Sequence, residues 1–164
     1  VADRLQAAGH QVTLLRTGDG FGRDARGYIL SPERGREGYE LLVQDLSERG
    51  LQPSRIAHFW LVTADESHRP GSSFFHRTQE QGFYALLFMA QAMAAADWPP
   101  VAITAFTNGA ATLRGEPLAY PEKATISGPI KVIPREMAGV TAKMVDIELP
   151  DPGAENANIA AGAA

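Results

Sequence analysis

Ile56-Ala-His-Phe-Trp-Leu-Val-Thr63 is a near-continuous apolar run that closes on a polar residue. A strand with one face in water alternates apolar and polar side chains, whereas a strand covered on both faces need not, and parallel sheets are covered on both faces. The run therefore predicts a central parallel strand. Parallel neighbours need a crossover, usually a helix, so helical segments are expected on either side. Upstream, Ser31 and Pro32 can start a helix on which Tyr39, Leu42, Val43 and Leu46 recur at helical spacing until Gly50 stops it. Downstream, Phe74 to Asp97 is the longest helical segment; it carries Phe75, Phe83, Leu86, Leu87, Met89, Ala90 and Met93, and Pro99-Pro100 ends it.

The same alternation extends in both directions. Gln11 to Arg16 and Val101 to Phe106 read as short buried strands, and Val140 to Leu149 as a last one. Thr17 to Pro32 reads as turns, Thr63 to Ser73 as a loop, and Thr112 to Leu118 as an irregular extension or edge hairpin. Pro121 to Met137 reads as a helix interrupted by Gly128-Pro129 and Pro134. Val1 to Ala8 places Leu5 and Ala8 on one helical face, with Gly9 as the stop. Helix and strand thus alternate throughout, which predicts right-handed βαβ units around a mostly parallel sheet. The first helix has no strand ahead of it, so the sheet is expected to lack its first strand in this chain, the missing member lying upstream of Val1. Residues 1–149 form the expected domain, and 150–164 have the composition of a linker.

Composition excludes several classes. The 45% hydrophobic and 21% charged residues of this 164-residue chain are ordinary for one folded domain. A net charge of -4 gives no basic footprint for nucleic acid. The longest apolar stretch, Tyr84 to Ala96, falls short of the ~20 residues that span a bilayer, so no membrane span is expected. The absence of cysteine excludes disulfides and thiolate chemistry, and is consistent with a cytoplasmic location.

Candidate sites are few. Gly18-Asp-Gly20-Phe-Gly22 follows a strand as a dinucleotide loop would, but its third glycine comes one residue early and no helical period follows. Tyr120-Pro-Glu-Lys123 brings together the residue types of a reductase acid and its lysine at a separation of three, with Tyr120 placed before a proline that disfavours helix. Asp65, Glu66 and His68 could gather round a cation, but His10, His58, His68 and His76 show no metal-ligand spacing. His58, inside an apolar strand, reads as a core histidine. Ser67, Ser72 and Ser73 lack a nucleophile elbow. Phe74, Phe75, Phe83, Tyr84 and Phe88 read as the buried stripe of the long helix, part of which could be an interdomain face.

The strand Ile56 to Thr63, the helix containing Gln81-Gly-Phe-Tyr-Ala-Leu-Leu87, and Lys123-Ala-Thr-Ile-Ser-Gly-Pro-Ile-Lys-Val-Ile-Pro-Arg-Glu136 followed by Val140 to Ile147 closely resemble ketoreductase regions of type I polyketide synthases. The resemblance runs from Val1 to about Leu149 and implies an α/β, truncated Rossmann-like, short-chain dehydrogenase-like three-layer sandwich. It implies the N-terminal structural subdomain, which is non-catalytic and supports a second half carrying NADPH and the reducing residues. No catalytic, cofactor-binding or metal-binding residue carries over to this chain, and NADPH is expected in the catalytic half. The implied partners are that half, neighbouring synthase domains and, indirectly, an acyl carrier protein. The alternatives are a pseudo-ketoreductase half beside a methyltransferase, a free-standing nucleotide-binding α/β protein using Gly18 to Gly22, or a docking module using the long helix.

Overall fold

The structure is a computed structural model that describes residues 1–63, 72–112, 115 and 118–149. Helix α1 (Ala2–Ala7) ends before Gly9, whose φ of 83° turns the chain toward β1 (Leu15–Thr17). The stretch expected to be all turns instead contains β2 (Gly22–Asp24) and β3 (Gly27–Leu30). These two form an antiparallel hairpin in which Asp24 faces Gly27, and β3 pairs in parallel with β1, Leu15 opposite Tyr28. The Asp24 carboxylate accepts the Arg26 amide and Gly27 takes a φ of 123°, so Asp and Gly occupy turn positions suited to them. Tyr28 and Leu30 alternate inward, and that burial fixes the register.

Helix α2 (Glu37–Glu48) begins later than Ser31 and Pro32 suggest. Pro32–Arg34 is a single 3-10 turn, Ser31 makes no side-chain cap, and Gly35 at φ 73° redirects the chain. Strand β4 (Arg55–Leu61) follows. The long helix is continuous from α3 (Ser72–Thr78) through a π-helical segment, Gln79–Tyr84, into α4 (Ala85–Ala95). Strand β5 (Ala102–Thr107) leads to a 3-10 turn, Pro121–Ile126, then α5 (Ser127–Glu136) and β6 (Thr141–Asp146). Gly128 and Pro129 sit in the first turn of α5, where a proline removes no helical hydrogen bond, so the break falls ahead of them at the 3-10 turn.

Strands β4, β5 and β6 are all parallel, with Ile56, Ile103 and Ala142 in register. The described strands form two sheets, β2-β3-β1 and β4-β5-β6. Doubly wound sheets run in the order 3-2-1-4-5-6. Here β4, β5 and β6 follow one another in chain order, as the last three strands of such a sheet do. On the inner face, Ile103 and Ala105 join the core with Leu86, Met93, Ile126 and Ile133, while Ile56, Ala142 and Met144 pack against its margin. Helix α4 packs between α2 and α5, and the Trp98 indole N–H donates to Ser47 Oγ (2.6 Å), tying the end of α4 to α2.

Candidate functional site

Ligands of parallel α/β sheets bind beyond the carboxyl ends of the strands. Three polar residues stand at that edge here: Thr63 just past β4, Asn108 directly after β5, and Asp146 at the end of β6. The Asn108 amide reads the backbone of Thr63, its Nδ2 donating to the Thr63 carbonyl and its Oδ1 accepting the Thr63 amide, both at 2.9 Å. This prolongs the β4–β5 pairing by one side chain. Lys123 enters from the 3-10 turn and is only 1% exposed. Its Nζ donates to Thr63 Oγ1 (2.7 Å), Asn108 Oδ1 (2.8 Å) and the Asn108 carbonyl (3.2 Å).

Asp146 does the corresponding work at β6. Its carboxylate accepts the Thr107 hydroxyl (2.6 Å) and the amides of Ala110 (3.1 Å) and Ala111 (3.2 Å). The loop it gathers turns at Gly109, φ 69°, whose carbonyl accepts the Tyr120 amide (2.8 Å). A Cβ at position 109 would strike the Tyr120 ring at 2.8 Å. Among the described residues, the polar groups at this edge are thus hydrogen-bonded to the chain itself.

Tyr120 and Lys123 do come together. Nζ lies over the Tyr120 ring, 4.1 Å from its centroid, a cation–π contact. Tyr120 precedes the 3-10 turn in a non-helical conformation, φ -136° and ψ 73°, so the pair does not share one turn of an α-helix. His58 points into the core and its Nε2–H donates to the Gln81 carbonyl (2.8 Å) in the π segment. A carbonyl can only accept, which places the proton of the neutral ring on Nε2. Burial pushes the His58 pKa down to about 4, and Nδ1 has no hydrogen-bond partner among the described residues. Gly82 has no side chain where a Cβ would stand 2.7 Å from Leu61 Cδ1, and this lets the π segment lie close over β4.

After β1, the glycine loop leads into the β2 strand rather than a helix. The Gly18 amide donates to the Leu30 carbonyl (2.9 Å), and Gly22 already belongs to β2. Beside it is a cavity of about 220 Å³ lined by Thr17, Gly18, Asp19, Ser31, Pro32, Glu33 and Gln81. Asp19 and Glu33 give it two carboxylates, which disfavour a phosphate. Asp65, Glu66, Ser67 and His68 lie outside the described residues. Among those described, no three His, Asp or Glu side chains gather as a metal site. His10, Ser73 and His76 are exposed. Phe74 is buried, but Phe75 and Tyr84 are exposed, so the expected aromatic stripe is only partly core. No described helix is long and apolar enough to cross a membrane. The sequence reading did not single out Asn108 or Asp146. Their signal is positional, a polar residue closing each apolar strand, as Thr63 closes its run.

Solved structures share this architecture. The chain matches the adenylation, ketoreductase and pseudo Asub multidomain structure of a keto acid-selecting NRPS module with a TM-score of 0.80 and 24% identity, over 92% of this chain and 13% of that one. It matches an N-terminal ketoreductase from the macrolactin assembly line with a TM-score of 0.70 and 17% identity, over 88% and 28%. A short-chain dehydrogenase from Streptomyces avermitilis follows with a TM-score of 0.51 and 16% identity, over 90% and 58%. The chain thus spans less than two thirds of each of these proteins. The fold is the Rossmann-like α/β fold that those ketoreductase and dehydrogenase structures display, as the sequence resemblance implied. The chain belongs to the beta-ketoacyl synthase-like, N-terminal family, whose model matches residues 2–161. Among curated proteins none matches it.

Proposed function

We propose that this chain is the structural, non-catalytic half of a ketoreductase in a type I polyketide synthase-like assembly line. The observation that carries the reading is the occupied carboxyl edge of β4-β5-β6. Lys123 gives its described hydrogen bonds to Thr63 and Asn108, and Asp146 holds the 110–111 amides, so groups that could meet a cofactor are directed at the protein itself. The glycine loop, which opens into a strand, supports the same reading. A catalytic half bound to NADPH supplies the reduction of a β-ketoacyl thioester on an acyl carrier protein, in the cytoplasm, and this half keeps it folded.

The test is a fluorescence titration of NADPH into the purified chain, with the thermal midpoint of the catalytic half measured with and without it. No saturable NADPH binding, together with a lower midpoint and lower activity when this half is removed, is the expected result. Micromolar binding to this chain alone would favour a free-standing nucleotide-binding protein, with the cavity beside Gly18 as the place to look. A catalytic half that keeps its full midpoint and activity alone would end the supporting role.

A further inference from the structure

The end of β1, the 3-10 turn Pro32–Arg34 and the π segment together line the cavity of about 220 Å³. It lies at the carboxyl ends of β1 and β3, which are parallel, and such ends are where α/β sheets take their ligands. Three polar side chains in its wall are not used by the protein. Ser31 is 7% exposed, does not cap the 3-10 turn, and its hydroxyl makes no hydrogen bond among the described residues. Asp19 and Glu33 make no ion pair or side-chain hydrogen bond with a described residue. Arg34, whose Nη1 lies beside Gly20, pairs with neither carboxylate. A π turn is rare and falls frequently at functional sites. This one supplies Gln81 to the cavity wall, held there because its carbonyl accepts the His58 ring N–H.

We infer that this cavity binds the ammonium group of a small organic amine, with Asp19, Glu33 and Ser31 accepting its N–H bonds. The inference does not depend on the structural-half reading. Two carboxylates with no cationic partner among the described residues repel a phosphate and attract a cation. The cation is organic rather than a metal ion. A hard divalent ion takes about six or more oxygens, and no three His, Asp or Glu side chains gather as a metal site among the described residues. An alkylammonium carries three donors, and two carboxylates with one free hydroxyl match them in number. The volume equals the liquid share of roughly seven waters, room for an ammonium on a short alkyl stem and too little for a dinucleotide. Asp19 and Glu33 are exposed, so the binding is modest and sensitive to salt.

The test is a calorimetric titration of putrescine into the chain at about pH 8, where histidine is neutral. Saturable binding with a Kd below about 1 mM is expected, weakened about tenfold in about 0.5 M sodium chloride. Asp19→Asn with Glu33→Gln should weaken it about tenfold or more, and Ser31→Ala about threefold. These side chains hold no described hydrogen bond, so the variants should keep the parent's thermal midpoint, which separates lost binding from lost structure. Glu40→Gln with Glu48→Gln removes the same charge from the exposed side of α2 and should leave binding unchanged; an equal loss there would reduce the effect to general charge attraction and overturn the site. Calcium binding more tightly than putrescine, and abolished by the Asp19 and Glu33 substitutions, would make it a metal site instead. Arg69 and Arg114 lie outside the described residues. If putrescine binds only after Arg69→Ala with Arg114→Ala, the cation is the chain's own and the inference fails, as it does if putrescine binds neither protein.

Discussion

The two three-stranded sheets are held together by different means. In β4-β5-β6, strands of six and seven residues pair in parallel, their inner side chains enter the main core, and Lys123, Asn108 and Asp146 stitch the carboxyl ends. In β2-β3-β1 the strands have three or four residues, and order comes from ties to α2. The Tyr28 hydroxyl donates to Asp45, and Leu30 packs into the space that Gly38 leaves. Strand length sets how many ladder bonds and buried side chains share the ordering cost, so the long sheet should open only in global unfolding and the short one locally. Amide exchange that is equally slow in both sheets would erase this distinction.

The largest expected effect falls on the long sheet. Lys123→Met keeps the buried stem and removes the ammonium, leaving Thr63 Oγ1 and both Asn108 oxygens without that donor. Asn108 Oδ1 keeps the Thr63 amide, so two acceptors are orphaned, and at about 1 kcal/mol for each the loss is roughly 2 kcal/mol, read as a lower urea midpoint at unchanged slope. A variant as stable as the parent would mean that the edge is not stitched by this residue. His58 tests the same sheet by pH. Its folded pKa, about 4, lies below the ordinary 6.5, so the unfolded chain takes up the proton first as pH falls. The stabilisation is whole above pH 6.5 and declines from there toward about 4. It amounts to about 2 kcal/mol lost near pH 5. His58→Gln should flatten that slope between pH 5 and 6.5, and an unchanged slope would assign it to other groups.

The long sheet was also the legible one. Ile56 to Thr63 could be read because burial on both faces leaves an uninterrupted apolar run, and Phe74 to Asp97 because a long helix repeats its period several times. Strands β2 and β3 offer only one or two repeats of their period, and Tyr28 with Leu30 gave the only alternation among glycines and charges. The π segment was illegible for another reason. Gln79 to Tyr84 sustains an ordinary helical pattern, and what favours the wider turn is tertiary, namely Gly82 over Leu61 and the Gln81 carbonyl facing His58. The site divides likewise. Tyr120 and Lys123 were visible as a pair, but the oxygens that receive Lys123 lie 15 and 60 residues away along the chain.

Smaller effects sharpen the contrast from the side of the short sheet. Gly27→Ala puts a Cβ 2.4 Å from the Leu14 carbonyl oxygen at a φ of 123°. The strain is about 1–3 kcal/mol, but it should appear as faster amide exchange confined to 15–30, with β4 to β6 keeping their protection. A matching loss of protection in β5 would show that the two sheets unfold as one. Asp24→Asn asks how little a visible contact can matter. Asp24 accepts from Arg16 and from the Arg26 amide, and the Arg16 hydrogen bond, before the other causes, holds its carboxyl below the usual range. Because the pair lies in water, ordering two side chains and salt screening cancel most of its Coulomb attraction. The thermal midpoint of Asp24→Asn should therefore match that of the parent at moderate salt. A clear drop that added salt abolishes would show that the hairpin depends on this ion pair, and the short sheet would then be held by charge as well as by packing on α2.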